Sequence, residues 1–252
     1  MIKIKNLQSL NIIDYEGIFI IETENIDNLL LSFYQYEINN KEEVFCINKS
    51  NISIKNTVLI SPLTKLSDLY NLSTKNILTK WIVNNDKLDI NNIFITNKIL
   101  EELEKLNNII NSSFLDINLD KMKMLKNLIT IDEDAFIDIK SFEKWLINFD
   151  SSTKPLIILK NTNLMCSTLI KYINKFNFLI ITNNIFSIID QPNQIECCSI
   201  EKNNKLITFE SFNTIKMWLE EEYKLNNFSD DDYFNILKED KFKQLMLKKQ
   251  LF

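Results

Sequence analysis

The sequence predicts an α/β protein whose parallel-type sheet is interrupted by a helical insertion. Short uninterrupted apolar runs, Ile18 to Ile21, Val58 to Ile60, Leu156 to Leu159 and Phe178 to Ile181, suit strands buried on both faces. Between about Ser73 and Phe149 the apolar residues recur instead at threes and fours, the period of amphipathic helices. The last two apolar runs lie one helix length apart, which reads as a βαβ unit.

Each element follows from the local pattern. Gly17 leads into the first run, and Ile26, Leu29, Leu30, Phe33 and Tyr36 continue it with helical spacing. Ile99, Leu100, Leu103, Leu106, Ile110 and Phe114, then Leu119, Met122, Leu125 and Leu128, mark helices that leave the sheet, with Pro155 at the return. After Phe209 the chain turns helical through Phe212, Ile215, Met217, Trp218, Leu219 and Tyr223. Ser229 with Asp230, Asp231 and Asp232 starts a further helix running toward Leu251, because a hydroxyl accepts an orphan N–H and acids favour the positive end of the helix dipole. That segment's stripe, Phe234, Ile236, Leu237, Phe242, Leu245 and Leu247, suits docking on a neighbour or folding back on its own subunit. The expected division is a discontinuous α/β domain at 1–80 and 150–210, a helical domain at 81–149 and a helical extension at 211–252. Trp81, Trp145 and Trp218 have aliphatic neighbours and read as packing residues.

Composition excludes more than it suggests. With 252 residues, 45% of them hydrophobic, the chain can bury a sizeable core. It has one Gly, no His, no Arg and one Ala, with a surplus of Asn, Ile and Lys that looks like drift toward AT-rich codons. Asn and Lys abundance is therefore not read as function. Without His there is no imidazole acid or base, no usual zinc set and no Ser-His or Cys-His triad. One Gly leaves no room for a GxxxxGK[ST] phosphate loop or a GxGxxG turn. The net charge of −5 still allows 29 lysines to cluster on one face. An Arg-free protein that bound DNA would meet phosphates with lysine point charges rather than read bases. Cys46, Cys166, Cys197 and Cys198 form no CxxC pair and read as reduced thiols. The start, Met-Ile-Lys-Ile-Lys-Asn, has no long apolar stretch, and no run long enough to span a membrane occurs, so a soluble, cytoplasmic protein is expected.

The order of the pieces resembles a family. Ile18-Phe19-Ile20-Ile21-Glu22, then Leu30 to Phe33, then Tyr34-Gln35-Tyr36-Glu37, is similar to the first strand and helix of the Csn-two family, the DNA-end-binding accessory proteins of type II-A CRISPR loci. Lys49 and Lys55 fall where that family has lysines before its next strand, here Val58 to Ile60. Leu156 to Asn161, the helix through Ile170, Tyr172 and Ile173, and Leu179 to Ile181 resemble its later strand, loop, helix and strand, so the order matches from residue 1 to about 210.

What the resemblance implies is an α/β head related to P-loop folds but lacking the phosphate loop, with a helical leg at 81–149. It implies a homotetrameric ring that admits double-stranded DNA from its ends, carries calcium, has no nuclease or ATPase activity, and assists spacer acquisition beside the CRISPR integrase and effector proteins. Lys49 and Lys55 are the DNA-binding candidates. The metal candidates are Asp116 and Asp120 in one acidic group and Asp132, Glu133 and Asp134 in another. Calcium needs six to eight oxygen ligands. Ile117, Asn118, Leu119 and Lys121 stand where the family has several acids, which weakens the first group. The rival readings are a degenerate metal-dependent NTPase or nuclease, and a protein-only scaffold of the adaptation complex.

Overall fold

The computed structural model describes residues 2–9, 17–73, 76–84, 95–113, 115–117, 120–149, 153–224, 228–239 and 244–245. In chain order the strands are β1 (Ile2–Ile4), β2 (Gln8–Ser9), β3 (Ile18–Glu22), β4 (Phe45–Ile47), β5 (Ser50–Ile52), β6 (Val58–Ile60), β7 (Leu156–Lys160), β8 (Asn177–Thr182), β9 (Cys198–Lys202) and β10 (Lys205–Thr208). The helices are α1 (Ile26–Asn40), α2 (Leu66–Leu69), α3 (Ile77–Val83), α4 (Asn97–Ile110), α5 (Lys121–Leu128), α6 (Ile139–Asn148), α7 (Cys166–Leu169), α8 (Phe212–Tyr223) and α9 (Asp230–Leu237).

The chain divides into two compact units, Met1–Leu63 with Ser151–Phe252, and Thr64–Asp150. Residues 64–80, placed in the α/β domain from sequence, thus group with the helical unit, and the chain after 211 groups with the sheet.

The first unit holds a seven-stranded sheet in the order β2-β10-β9-β3-β8-β7-β6. Its central strands β9, β3, β8, β7 and β6 run parallel, so β3, the first of them in sequence, sits between the last and the last but one. β6 pairs directly with β7 although the whole helical unit lies between them in sequence. This is a mostly parallel α/β unit, and its buried β7, up to Leu159, and β8 account for the near-continuous apolar runs. One side of the sheet carries a core of Phe19, Ile21, Leu156, Ile158, Leu179 and Ile181 against Leu29, Leu30 and Phe33 of α1. The small antiparallel sheet β1-β4-β5 joins the same core through Ile2, Ile4, Phe45 and Ile47. α8 and α9 bury Phe212, Ile215, Leu219, Tyr233, Phe234 and Leu237, with Phe186 and Phe234 edge to face at 6.0 Å between centroids. The extension therefore folds back on its own unit as far as it is described. Phe114, Leu119, Phe242, Leu247 and Leu251 lie outside the described residues.

The turns show what the Asn surplus does. Among the described residues eight non-glycine residues have positive φ, and they are Asn48, Asn111, Asn161, Asn203 and Asn204 with Lys41, Lys49 and Lys224. Asn tolerates the left-handed region because its short amide bonds locally. With glycine nearly absent, Asn takes over hairpin turns and helix C-caps: Asn48-Lys49 closes β4-β5, Asn203-Asn204 closes β9-β10, and Asn111 caps α4. The β9-β10 hairpin is not foreseen from sequence once Asn abundance is discounted, although Asn203-Asn204 is its turn signal.

In the second unit, Ile82 of α3 packs with Leu72, Leu78, Met124 and Ile129, and Phe142 stacks on Trp145 of α6. Segment 64–66 is laced to 135–137 by the Leu66 N–H to the Ala135 carbonyl and the Ile137 N–H to the Thr64 carbonyl. Trp145 is buried as expected, but Trp81 is 65% exposed, so its packing assignment is corrected. α4 has an apolar stripe and not one buried residue.

Candidate nucleic-acid interface

Lys49 is the second residue of a two-residue hairpin turn, with φ of 75° after Asn48 at 48°. Both signs are those of a type I′ turn, whose second position favours glycine. The turn holds Lys49 exposed at the tip, and among the described residues it has no carboxylate partner.

Lys55 follows β5 in a short 3-10 turn, 54–56, opened by the Ser53 hydroxyl accepting the Lys55 N–H. It is exposed and close enough to the Glu37 carboxylate to influence it. Glu37, the acid of the Tyr-Gln-Tyr-acid stretch, ties α1 to this region: it accepts the N–H groups of Val44 at 3.0 Å and Ile54 at 2.8 Å and the Ser53 hydroxyl at 2.7 Å. Burial pushes its carboxyl up, but these three bonds and the Lys55 charge outweigh it and leave the carboxyl below its usual range. Glu37 thus anchors the loop that presents Lys55, a role that sequence reasoning missed. An acid at the end of a helix followed by turn residues was the available signal.

In phosphate-binding α/β folds the connection from a strand to its following helix cradles phosphates with backbone N–H groups, and β3 and α1 form such a strand-helix pair. Here it is three residues long, Thr23, Glu24 and Asn25, and contains no glycine. The Asn25 side chain accepts the Asn28 N–H at 3.0 Å, so the helix start is capped from within. Asn183 donates to the Thr23 and Glu24 carbonyls, and the Thr23 hydroxyl donates to Glu201 at 2.9 Å. A cavity of about 280 Å³ beside it is lined by Glu24, Glu201 and Lys202 among other groups, so a triphosphate there would meet two carboxylates against one amine. Lys160, the nearby cation on β7, is paired with Asp27.

The acidic candidates serve local structure. Asp116 accepts the Ile117 N–H, Asp120 accepts the Lys123 N–H at the start of α5, and Asp132 accepts the Asp134 N–H. Asp134 pairs with Lys65 at 3.8 Å, and Glu133 is exposed. Among the described residues no three Asp, Glu, Cys or His side chains form a group that could hold a metal ion. The four thiols are free; Cys166 is buried, which pushes its thiol up to about 12 and leaves it no thiolate nucleophile near neutral pH. No described helix is long and apolar enough to cross a membrane.

No family model and no curated protein sequence matches the chain. Among solved structures it is similar to Stu0660 of Streptococcus thermophilus, with a TM-score of 0.58 and 14% sequence identity over 90% of this chain and 81% of that one. At that identity the likeness is one of fold: a mixed α/β protein with a mostly parallel sheet and added helices.

Proposed function

We propose that this chain binds the ends of double-stranded DNA without sequence preference, as a homotetrameric ring, and assists spacer acquisition in a type II-A CRISPR system without itself catalysing a reaction. The observation that carries this reading is the β3-α1 connection. The connection is short, free of glycine and capped from within, which supports a role without nucleotide chemistry. The ordered resemblance over residues 1 to about 210 supplies the family, and the fold shared with Stu0660 agrees with it.

Two features support the mechanical parts. Lys49 and Lys55 are both exposed on the head, and Arg-free contacts to phosphates are sequence-tolerant. Closed symmetry repeats each lysine around one axis, so an acidic chain can still line a channel with positive charge. On α4, Ile99, Leu103, Leu106 and Ile110 follow alternating four- and three-residue steps, the seam of a helix that packs on another. A second copy of the chain would cover it. The CRISPR integrase and effector proteins are the partners this role requires.

The test joins assembly to binding. Mass measurement in solution is expected to give a tetramer, and gel shifts at rising salt are expected to favour linear over circular duplexes of equal length. A stable monomer, or equal binding to both forms, overturns the ring; sustained phosphate release or DNA cleavage with magnesium or manganese overturns the non-catalytic role.

A further inference from the structure

We infer that the β9-β10 hairpin is a second contact for the phosphodiester backbone, made by Lys202 and Lys205. The inference rests on the DNA-binding reading above. The two lysines are direct partners across the antiparallel pair, so both side chains stand on the same face. Like charges directly opposite one another destabilise a hairpin, and an acid at either position would stabilise it. Both are exposed, and among the described residues neither forms an ion pair, Glu24 and Glu201 included. Glu201, the neighbour of Lys202, has its side chain on the opposite face, where it is occupied by the Asn204 N–H at 2.9 Å and the Thr23 hydroxyl at 2.9 Å.

The platform under the lysines is rigid. Asn203 and Asn204, with φ of 55° and 61°, form a type I′ turn that sets the register. The Gln8 N–H donates to the Asn204 carbonyl at 2.9 Å, and β2 places Gln8 beside Lys205, which extends the row by one neutral hydrogen-bonding side chain. A held pair of unneutralised amines is suited to an anion carrying repeated charges, because preorganisation lowers the entropy lost on binding and each phosphate neutralised releases counterion. A rule of sheet stability broken without local compensation is where function is to be sought.

Binding of a labelled linear duplex by the full-length chain, followed by fluorescence anisotropy across a salt series, tests this. For Lys202→Gln with Lys205→Gln, affinity is expected to fall at least tenfold and the slope of log K against log salt to shrink by about 0.9 for each phosphate no longer neutralised. Lys202→Arg with Lys205→Arg should retain both. Lys202→Glu alone, which places opposite charges across the pair, should melt at or above the parent temperature while binding more weakly, which separates an effect on DNA from an effect on folding. If the parent binds and the double Gln variant matches it in affinity and slope, or if the Arg variant binds as weakly as the Gln one, the hairpin assignment is overturned. If the parent does not bind, the DNA reading itself falls.

Discussion

Gly17 precedes β3 with φ of +121°, and a Cβ there would lie 2.8 Å from the Ile173 Cβ. Backbone and packing both demand glycine, which explains why the single glycine stands at this position. Gly17→Ala is expected to lose about 2 kcal/mol or more in a denaturant melt. Glu37 is the second residue on which local order depends, because three donors converge on its carboxylate. Its folded pKa is lowered, so its contribution is fully present above the unfolded carboxylate value and is lost as pH falls through the lower folded value. Glu37→Gln should cost about 2 kcal/mol at neutral pH, since hydrogen bonds to a charge are being weakened. The gap to the parent should narrow in melts taken below about pH 4. A gap independent of pH would show that the charge does not matter there.

Turns and caps carry this chain's departures from common sequence rules. Ser229 meets its expectation: its hydroxyl accepts the Asp232 N–H and the Asp232 carboxylate accepts in return, a capping box at the start of α9. The β4-β5 turn does not follow the usual chemistry, because a lysine occupies the position that favours glycine. Lys49→Gly is expected to stabilise the protein by about 0.5 kcal/mol, the strain relieved exceeding the entropy added to the unfolded chain. If Lys49 meets DNA, the same change should lower affinity, so stability and binding move in opposite directions. A loss of stability in thermal melts would count against the strained-turn account.

For the whole molecule, the exposed seam on α4 ties the fold to the proposed assembly. A monomer would leave Ile99, Leu106 and Ile110 about half exposed along one helix, and an apolar stripe of this kind marks an interaction surface. If the proposed ring closes through α4, Leu106→Lys, which places a charge in the seam, is expected to convert it to smaller species in sedimentation, with the proposed end-binding lost in step. Retention of the parent mass would remove α4 from the interface. The helical unit itself was legible: α4 and α5 fall on the predicted periodicity, and insertion between β6 and β7 follows from the order of apolar runs.

What the sequence determined by itself is whatever depends on local period and on residue types that are missing. The buried parallel strands, the amphipathic helices, the capped start of α9 and the lack of a glycine phosphate loop all follow from short-range pattern and inventory. Tertiary structure alone decided which distant groups meet. The convergence of Val44, Ser53 and Ile54 on Glu37, the pairing of β6 with β7, the return of the C-terminal helices to the sheet and the facing pair Lys202 and Lys205 depend on register and long-range packing. Periodicity identifies an element's faces but carries no information about which other face will cover them.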